Sequence, residues 1–293
     1  MAQNKKTIRL LFPQWQGGNN PDYVFGGELL AQIAPKSNTS KTFEVEVDTD
    51  FVKKLEKEKE KGITGGAAIS QQMEKTVDIL KEQQPDKVII FGGDCSMDQV
   101  PFDYLSGKYG DKLGILWLDA HPDIATTNDS SNAHEMVAAN LLGKGADQSV
   151  TKVKNPVSTS HMMYAGLIEK DLRDRDKLVK ELNVRFAGPD ELKENSQLII
   201  DWVKENKIEY LAVHFDLDVL SPKDFRSIYP AEPYTNAEDF PAAVGEMKLA
   251  EVVRVLNDVS EQAEIVGLGI AEHLPWDAIN LRKALSKISI FDD

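Results

Sequence analysis

Short apolar runs and helically spaced apolar residues alternate along this chain. Thr7–Phe12 is mostly apolar and predicts a first strand, and Pro13 to Asp22, rich in Gly, Asn and Pro, predicts a loop. Phe43–Val47 predicts a short strand and the charged run Glu56–Gly62 a solvated stretch. Over Ala67–Glu82, Ile69, Met73, Val77 and Leu80 fall on one stripe, which predicts a helix with that stripe in the core. Further strands are predicted at Lys87–Phe91, Leu113–Leu118, Met162–Leu167, Val184–Ala187, Tyr210–Phe215 and Ile265–Ile270. Helices are predicted at Met97–Leu105 (against which Pro101 argues), Glu135–Leu142, Asp171–Leu182, Pro189–Glu205, Ala242–Val259 and Trp276–Ile288. Thr126–Ala133, Asp147–Ser160 and Pro222–Glu238 read as loops. Strands that alternate with helices imply an α/β fold, a mainly parallel sheet with helices on both faces. No repeat, low-complexity segment or linker divides the chain, so residues 1–293 are expected to form a single domain.

The strand ends carry the chemistry. Lys87–Phe91 runs into Gly92-Gly93-Asp94-Cys95-Ser96. Leu113–Leu118 runs into Asp119, His121 and Asp123, and Tyr210–Phe215 carries His214 and leads to Asp216 and Asp218. Alternate residues of an extended chain share a face, so each trio is expected to converge on one point. Such carboxylates at the ends of very apolar strands are costly to bury without a cation. Oxygen and imidazole donors favour manganese or a similar divalent ion over a thiolate zinc site. Five or six such ligands, some shared, would hold two metals about 3.5–4 Å apart and acidify a bridging water, which implies metal-assisted hydrolysis. Gly92-Gly93 lacks the Gly-x-Gly-x-x-Gly spacing of a dinucleotide-binding loop.

Composition narrows the partners. The 293 residues are 41% hydrophobic, enough for a sizeable core. The net charge of −14 argues against nucleic acid and is compatible with a cationic substrate. With Cys95 the only cysteine, no intrachain disulfide is possible, and a reducing compartment fits. No apolar run reaches the roughly 18 residues of a membrane span, and no signal-type apolar region follows the first residues. A cytoplasmic protein that does not bind membranes is expected.

In this order, the glycine-rich strand end, Asp-Ala-His-x-Asp and Phe-Asp-x-Asp resemble the ureohydrolases: arginase, agmatinase, formiminoglutamase and relatives. The resemblance covers about residues 90 to 275. It implies a three-layer α/β/α fold with a parallel sheet of about eight strands, two manganese ions, and a homo-oligomer, trimer or hexamer. By the same resemblance, Asp119 and Asp216 bridge the metals, Asp123 binds the first, and His121 and Asp218 bind the second. His134 is implied as the proton shuttle to the leaving amine, a role suited to imidazole. Glu272, in Ala-Glu-His-Leu-Pro, is implied to pair with the guanidinium of the substrate. Ser130, Asn132 and Asp171 stand where arginases grip the carboxylate and amino group of an amino acid, which hints at a substrate such as arginine. The implied activity is hydrolysis of a linear C–N bond in a small cationic guanidino or amidino compound by metal-bridging hydroxide. Arginase-type activity is favoured over agmatinase, guanidinobutyrase or formiminoglutamase.

The chain departs from that pattern in four places. Cys95 stands where the family has its first metal-binding histidine. It would bind manganese poorly, take another metal, or pack as a small apolar side chain. His214 stands where serine is usual. It either replaces the lost imidazole or orients Asp123 from behind. Ser221-Pro222 replaces Asp-Pro, and Glu135 replaces the glycine after the loop histidine, where it would block the pocket or select a cationic substrate. Cys95 also motivates a different reading, a non-catalytic relative that keeps the scaffold for binding or assembly.

Overall fold

The computed structural model describes residues 5–49, 62–145, 152–288 and 290. Residues 56–61 of the charged run and 147–151 of the predicted loop lie outside them. Eight strands form one sheet: β1 (Thr7–Phe12), β2 (Lys41–Glu44), β3 (Lys87–Gly92), β4 (Leu113–Leu118), β5 (Met162–Ala165), β6 (Arg185–Ala187), β7 (Tyr210–Asp216) and β8 (Glu264–Ala271). Their order is β2-β1-β3-β8-β7-β4-β5-β6, and every neighbouring pair is parallel. The fold is the three-layer α/β/α expected from the alternation of strands and helices.

Every residue of β4 is buried, as a strand covered on both faces requires. Ile115 and Trp117 join the core on one side, with Ile69, Met73 and Leu80 of helix Gly66–Gln83 and Phe102 and Leu105 of helix Gln99–Tyr109. Leu116 and Leu118 join the other, with Ile199, Trp202 and Val203 of helix Gln197–Glu205 and Val252, Val255 and Val259 of helix Leu249–Ser260. A third cluster, around Trp15, Tyr23, Leu274 and Trp276, joins helix Asp22–Ile33 to helix Trp276–Leu285.

Several predicted boundaries differ from those observed. Pro101 does not break helix Gln99–Tyr109, because it lies in the first turn, where its missing N–H costs no helical bond. Asp171–Leu182 was expected to be one helix, but only Leu178–Glu181 is α-helical, after 3₁₀ turns at Glu169–Asp171 and Asp174–Asp176. There Arg173 clamps the Asp176 carboxylate, which competes with a continuous helix. Pro189–Glu205 splits into Pro189–Leu192 and Gln197–Glu205, where the Asn195 side chain accepts from the Gln197 N–H. Helix Leu249–Ser260 starts later than the apolar pattern from Ala242 suggested. Helix Asp22–Ile33 gave no clear signal, since Gly26 and Gly27 lower its propensity. Gly26 is there for packing: a Cβ would lie 1.7 Å from the His273 carbonyl oxygen.

Truncation is expected to cost far more inside the sheet than on an exposed helix face. Ile90→Ala, at a fully buried position of β3, is expected to cost about 2–5 kcal/mol. Ile33→Ala, at a position 64% exposed, is expected to stay within about 0.5 kcal/mol of the parent. Urea denaturation of both variants checks this.

Candidate metal centre

Four contiguous central strands, β3, β8, β7 and β4, end side by side. Open α/β sheets place ligands at this carboxyl edge. Three of the four ends use the same local device. Asp94 Oδ1 accepts from the Ser96 N–H at 3.0 Å, Asp119 Oδ1 from the His121 N–H at 2.7 Å, and Asp216 Oδ1 from the Asp218 N–H at 2.7 Å. An aspartate that caps the backbone two residues on turns the chain sharply and replaces lost sheet hydrogen bonds. The donors therefore converge through turns, not through strand alternation. Asp119, His121 and Asp123 all follow β4, and Asp218 lies in the 3₁₀ turn Leu217–Val219. Asp123 (φ 45°) and Glu272 (φ 60°) both adopt the left-handed region, strain that persists only where surrounding structure enforces it. The Glu272 N–H is held by the Gly93 carbonyl at 2.7 Å, and the Asp123 carbonyl accepts from Ala138 at 2.9 Å.

Cys95, Asp119, Asp123 and His214 each offer a donor atom within 4.8 Å of the others. Asp119, His121 and Asp218 form a second such group, and Cys95, Asp216 and Glu272 a third. Asp119 and Cys95 each belong to two of them, Asp119 being the carboxylate that does, and among the described residues no group joins Asp216 to Asp218 or His121. Buried Asp123 Oδ2, Asp218 Oδ1, His121 Nε2 and His214 Nε2 have no hydrogen-bond partner. Unpaired polar atoms in such number are costly, and this hard donor set, mostly carboxylate and imidazole, fits divalent cations.

The electrostatics agree. Burial, reinforced by Asp119, pushes Asp123 well above the usual carboxylate range, and burial with Asp218 does the same to Asp216. Burial also lifts Asp119, with Asp218 adding to it. Burial raises Glu272 to about 7, against the opposing pull of His134. Burial likewise works against Asp218, but its contact with His121 prevails and holds it low. Burial disfavours a charged His121, yet Asp218 and Asp119, at 3.2 and 3.4 Å, raise it well above its ordinary value. The Cys95 thiol is pushed up by burial and then by Asp123; Sγ donates to Asp216 Oδ2 at 3.0 Å and lies 3.5 Å from Glu272 Oε1.

A cavity of about 250 Å³ opens onto these groups, lined also by Tyr23, Asn132, His134, Glu135, Arg173 and Phe240. His134 Nδ1 lies 2.7 Å from the Gly17 carbonyl. A carbonyl only accepts, so Nδ1 carries the hydrogen and Nε2 is left for the pocket. Tyr23 donates to Glu272 Oε2 at 2.7 Å. Three expectations need correction. Asp171 is exposed and lines a separate cleft with Lys170, Ser221 and Glu246. Ser130 does not line the metal pocket; its hydroxyl donates to Glu135. Glu135 neither blocks the pocket nor offers a free charge, because Arg173 and Arg175 both bind its carboxylate. Sequence reasoning missed Tyr23, Arg173 and Asp98; the last lies 2.7 Å from His214 although 116 residues away in the chain.

The family model described as "Arginase family" matches residues 34–280. The chain belongs to the arginase family. Among curated relatives, arginase of Entamoeba histolytica is 24% identical over 152 residues, 50% of this chain and 51% of that protein. Arginase of Staphylococcus aureus is 30% identical over 139 residues, 45% of this chain and 44% of that protein. The matched stretch thus spans about half the length of these relatives. Among solved structures, E. histolytica arginase in complex with L-ornithine superposes with a TM-score of 0.74 at 17% identity, over 97% of this chain and 98% of that one. Formimidoylglutamase of Bacillus subtilis gives 0.59 at 17% identity, over 94% and 81%. These two structures share the arginase-family fold with this chain. Among the described residues, no helix is long and apolar enough to cross a membrane.

This arginase-family cluster has a measurable signature when metal-free. Glu272, at about 7 when folded, holds its proton more tightly than in the unfolded chain, where a glutamate titrates at about 4.3. Across that window the folded state binds more protons, so stability falls as pH rises. Asp123, Asp216 and the raised His121 act in the same sense. Asp218, held low, contributes in the opposite sense, with stability lost as pH falls. The metal-free chain is expected to melt at a higher temperature at about pH 5.5 than at about pH 8, and added manganese to stabilise it more at about pH 8, where protons compete less. Scanning calorimetry decides; a metal-free Tm that climbs over that range contradicts the account.

Proposed function

We propose that this chain hydrolyses a linear C–N bond of a guanidino or amidino compound, using two divalent cations, manganese by the hardness of the donors. The observation that supports this most is the position of Asp119 in two separate ligand groups. Asp119, Asp123 and one of His214 or Cys95 would hold one ion, and Asp119, His121 and Asp218 the other, with Asp216 as the remaining shared carboxylate. When bound, the ions supply Lewis acidity and an acidified water as nucleophile.

The chain's own residues do the rest. The Glu272 carboxylate, steadied by Tyr23, pairs with substrate N–H groups and orients the electrophilic carbon. His134, its Nδ1 hydrogen committed to Gly17, passes a proton from Nε2 to the departing amine. Asn132 remains in reach as a polar contact. Among the described residues, six acids line the cavity. Five belong to the cluster, and the sixth, Glu135, is paired with two arginines. Among the described residues none is left for an α-ammonium group, so a substrate without one fits these walls better than arginine.

Residues 1–293 would act as one domain and, in this reading, as a cytoplasmic homo-oligomer. Exposed Leu281, Leu285 and Ile288 near the end of the chain support self-association.

Product release from arginine, agmatine and 4-guanidinobutyrate with added manganese tests the activity. Turnover is expected, with 4-guanidinobutyrate ahead of agmatine and arginine, both of which carry an ammonium group at the far end. His134→Asn is expected to lower kcat by about 10²–10⁴-fold with metal content unchanged. No turnover on any substrate with two ions bound would favour the non-catalytic binding role that Cys95 suggests.

A further inference from the structure

We propose that His214, aimed by Asp98, is the imidazole ligand of the ion position beside Cys95, and that Cys95 is not needed to hold that ion. The assignment rests on the binuclear reading above and adds to it a ligand on a different strand and a positioning residue, Asp98, outside the motifs.

The His214 ring is completely buried. Its Nδ1 lies 2.7 Å from Asp98 Oδ2, and a carboxylate accepts, so Nδ1 carries the hydrogen. Nε2 therefore presents its lone pair, and it has no partner. It points to the same place as Cys95, Asp119 and Asp123, and lies 3.9 Å from Asp119 Oδ2. A core histidine kept only for packing would have both nitrogens satisfied. A carboxylate behind one ring nitrogen and an open lone pair on the other is how proteins present histidine to metal.

Three neighbours fix the arrangement. Trp117 stacks on the ring, with centroids 3.7 Å apart and planes 18° from parallel. Its indole N–H donates to Asp119 Oδ2 at 3.1 Å, so one tryptophan positions both donors. Gly269, which pairs with His214 in the β7–β8 register, leaves room for the Asp98 carboxylate; a Cβ there would lie 1.9 Å from Oδ1. Cys95 has a different engagement, with its thiol directed at Asp216 and Glu272. It can hold those two carboxylates in place without ligating metal.

The test uses the full chain, stripped with chelator and reloaded with Co²⁺. Metal analysis and chelator competition give stoichiometry and affinity, and circular dichroism checks folding. Wild type is expected to hold two ions, His214→Asn one, and Cys95→Ser two. Asp98→Asn is expected to weaken one ion by about 10–100-fold and leave the other unchanged. The wild-type Co²⁺ form gives a reading that needs no variant: two metal-shifted imidazole N–H proton signals, from His121 and His214. A single such signal, a His214→Asn chain that still holds two ions at parental affinity, or a Cys95→Ser chain that loses one overturns the assignment alone. A wild type that takes up no ion overturns both this assignment and the binuclear reading.

Discussion

Five buried carboxylates, Asp119, Asp123, Asp216, Asp218 and Glu272, crowd one end of the sheet, and the rest of the structure is arranged around that constraint. Isolated charges there would be very expensive. Among the described residues, the side chains within ion-pair reach of the cluster are His121 and His214. Nearby Arg173 is committed to Asp176 and Glu135. Either protons or metal ions must therefore neutralise the cluster, and the raised acids show how strongly protons are held when metal is absent. A protein under no demand for this cluster would be more stable with apolar side chains in its place.

The fold holds the cluster through its backbone. Each turn at the ends of β3, β4 and β7 is closed by an aspartate that accepts a main-chain hydrogen bond two residues on. Asp119 and Asp216 therefore spend Oδ1 on local structure, while Oδ2 accepts from the Trp117 indole and the Cys95 thiol, respectively. Asp94 spends both on the backbone and side chains around Gly18 and Ser96, which fixes the Gly17 segment whose carbonyl orients His134. The left-handed backbone at Asp123 and Glu272 belongs to the same economy of position, with strain tolerated where side chains must be aimed.

Much of this was legible in the sequence for definite reasons. β1 and β4 were read with their observed ends, because a mostly apolar run meets Pro13 in the first and an unbroken one meets Asp119 in the second. The motif residues Asp119, His121, Asp123, Asp216 and Asp218 gather at one edge because successive strands in a parallel sheet all end there. The long-range pairings were not legible. Nothing local ties Asp98 to His214, or Tyr23 to Glu272 across 249 residues. Asp171 was placed by analogy of spacing, and the short 3₁₀ turns before Leu178 carry it out to solvent and away from the site. Helix Asp22–Ile33 was hidden because Gly26 serves contact with His273 and Gly27 with Gly92, tertiary requirements that propensity cannot register.

The central claim is that separate strand ends fold onto a shared pair of cations. Anomalous diffraction from crystals grown with manganese tests it most directly. The account predicts two peaks per chain at the ends of β3, β7 and β4, with the Asp119 carboxylate touching both. A single peak, or none with these carboxylates turned toward solvent or toward arginine and lysine, would contradict it.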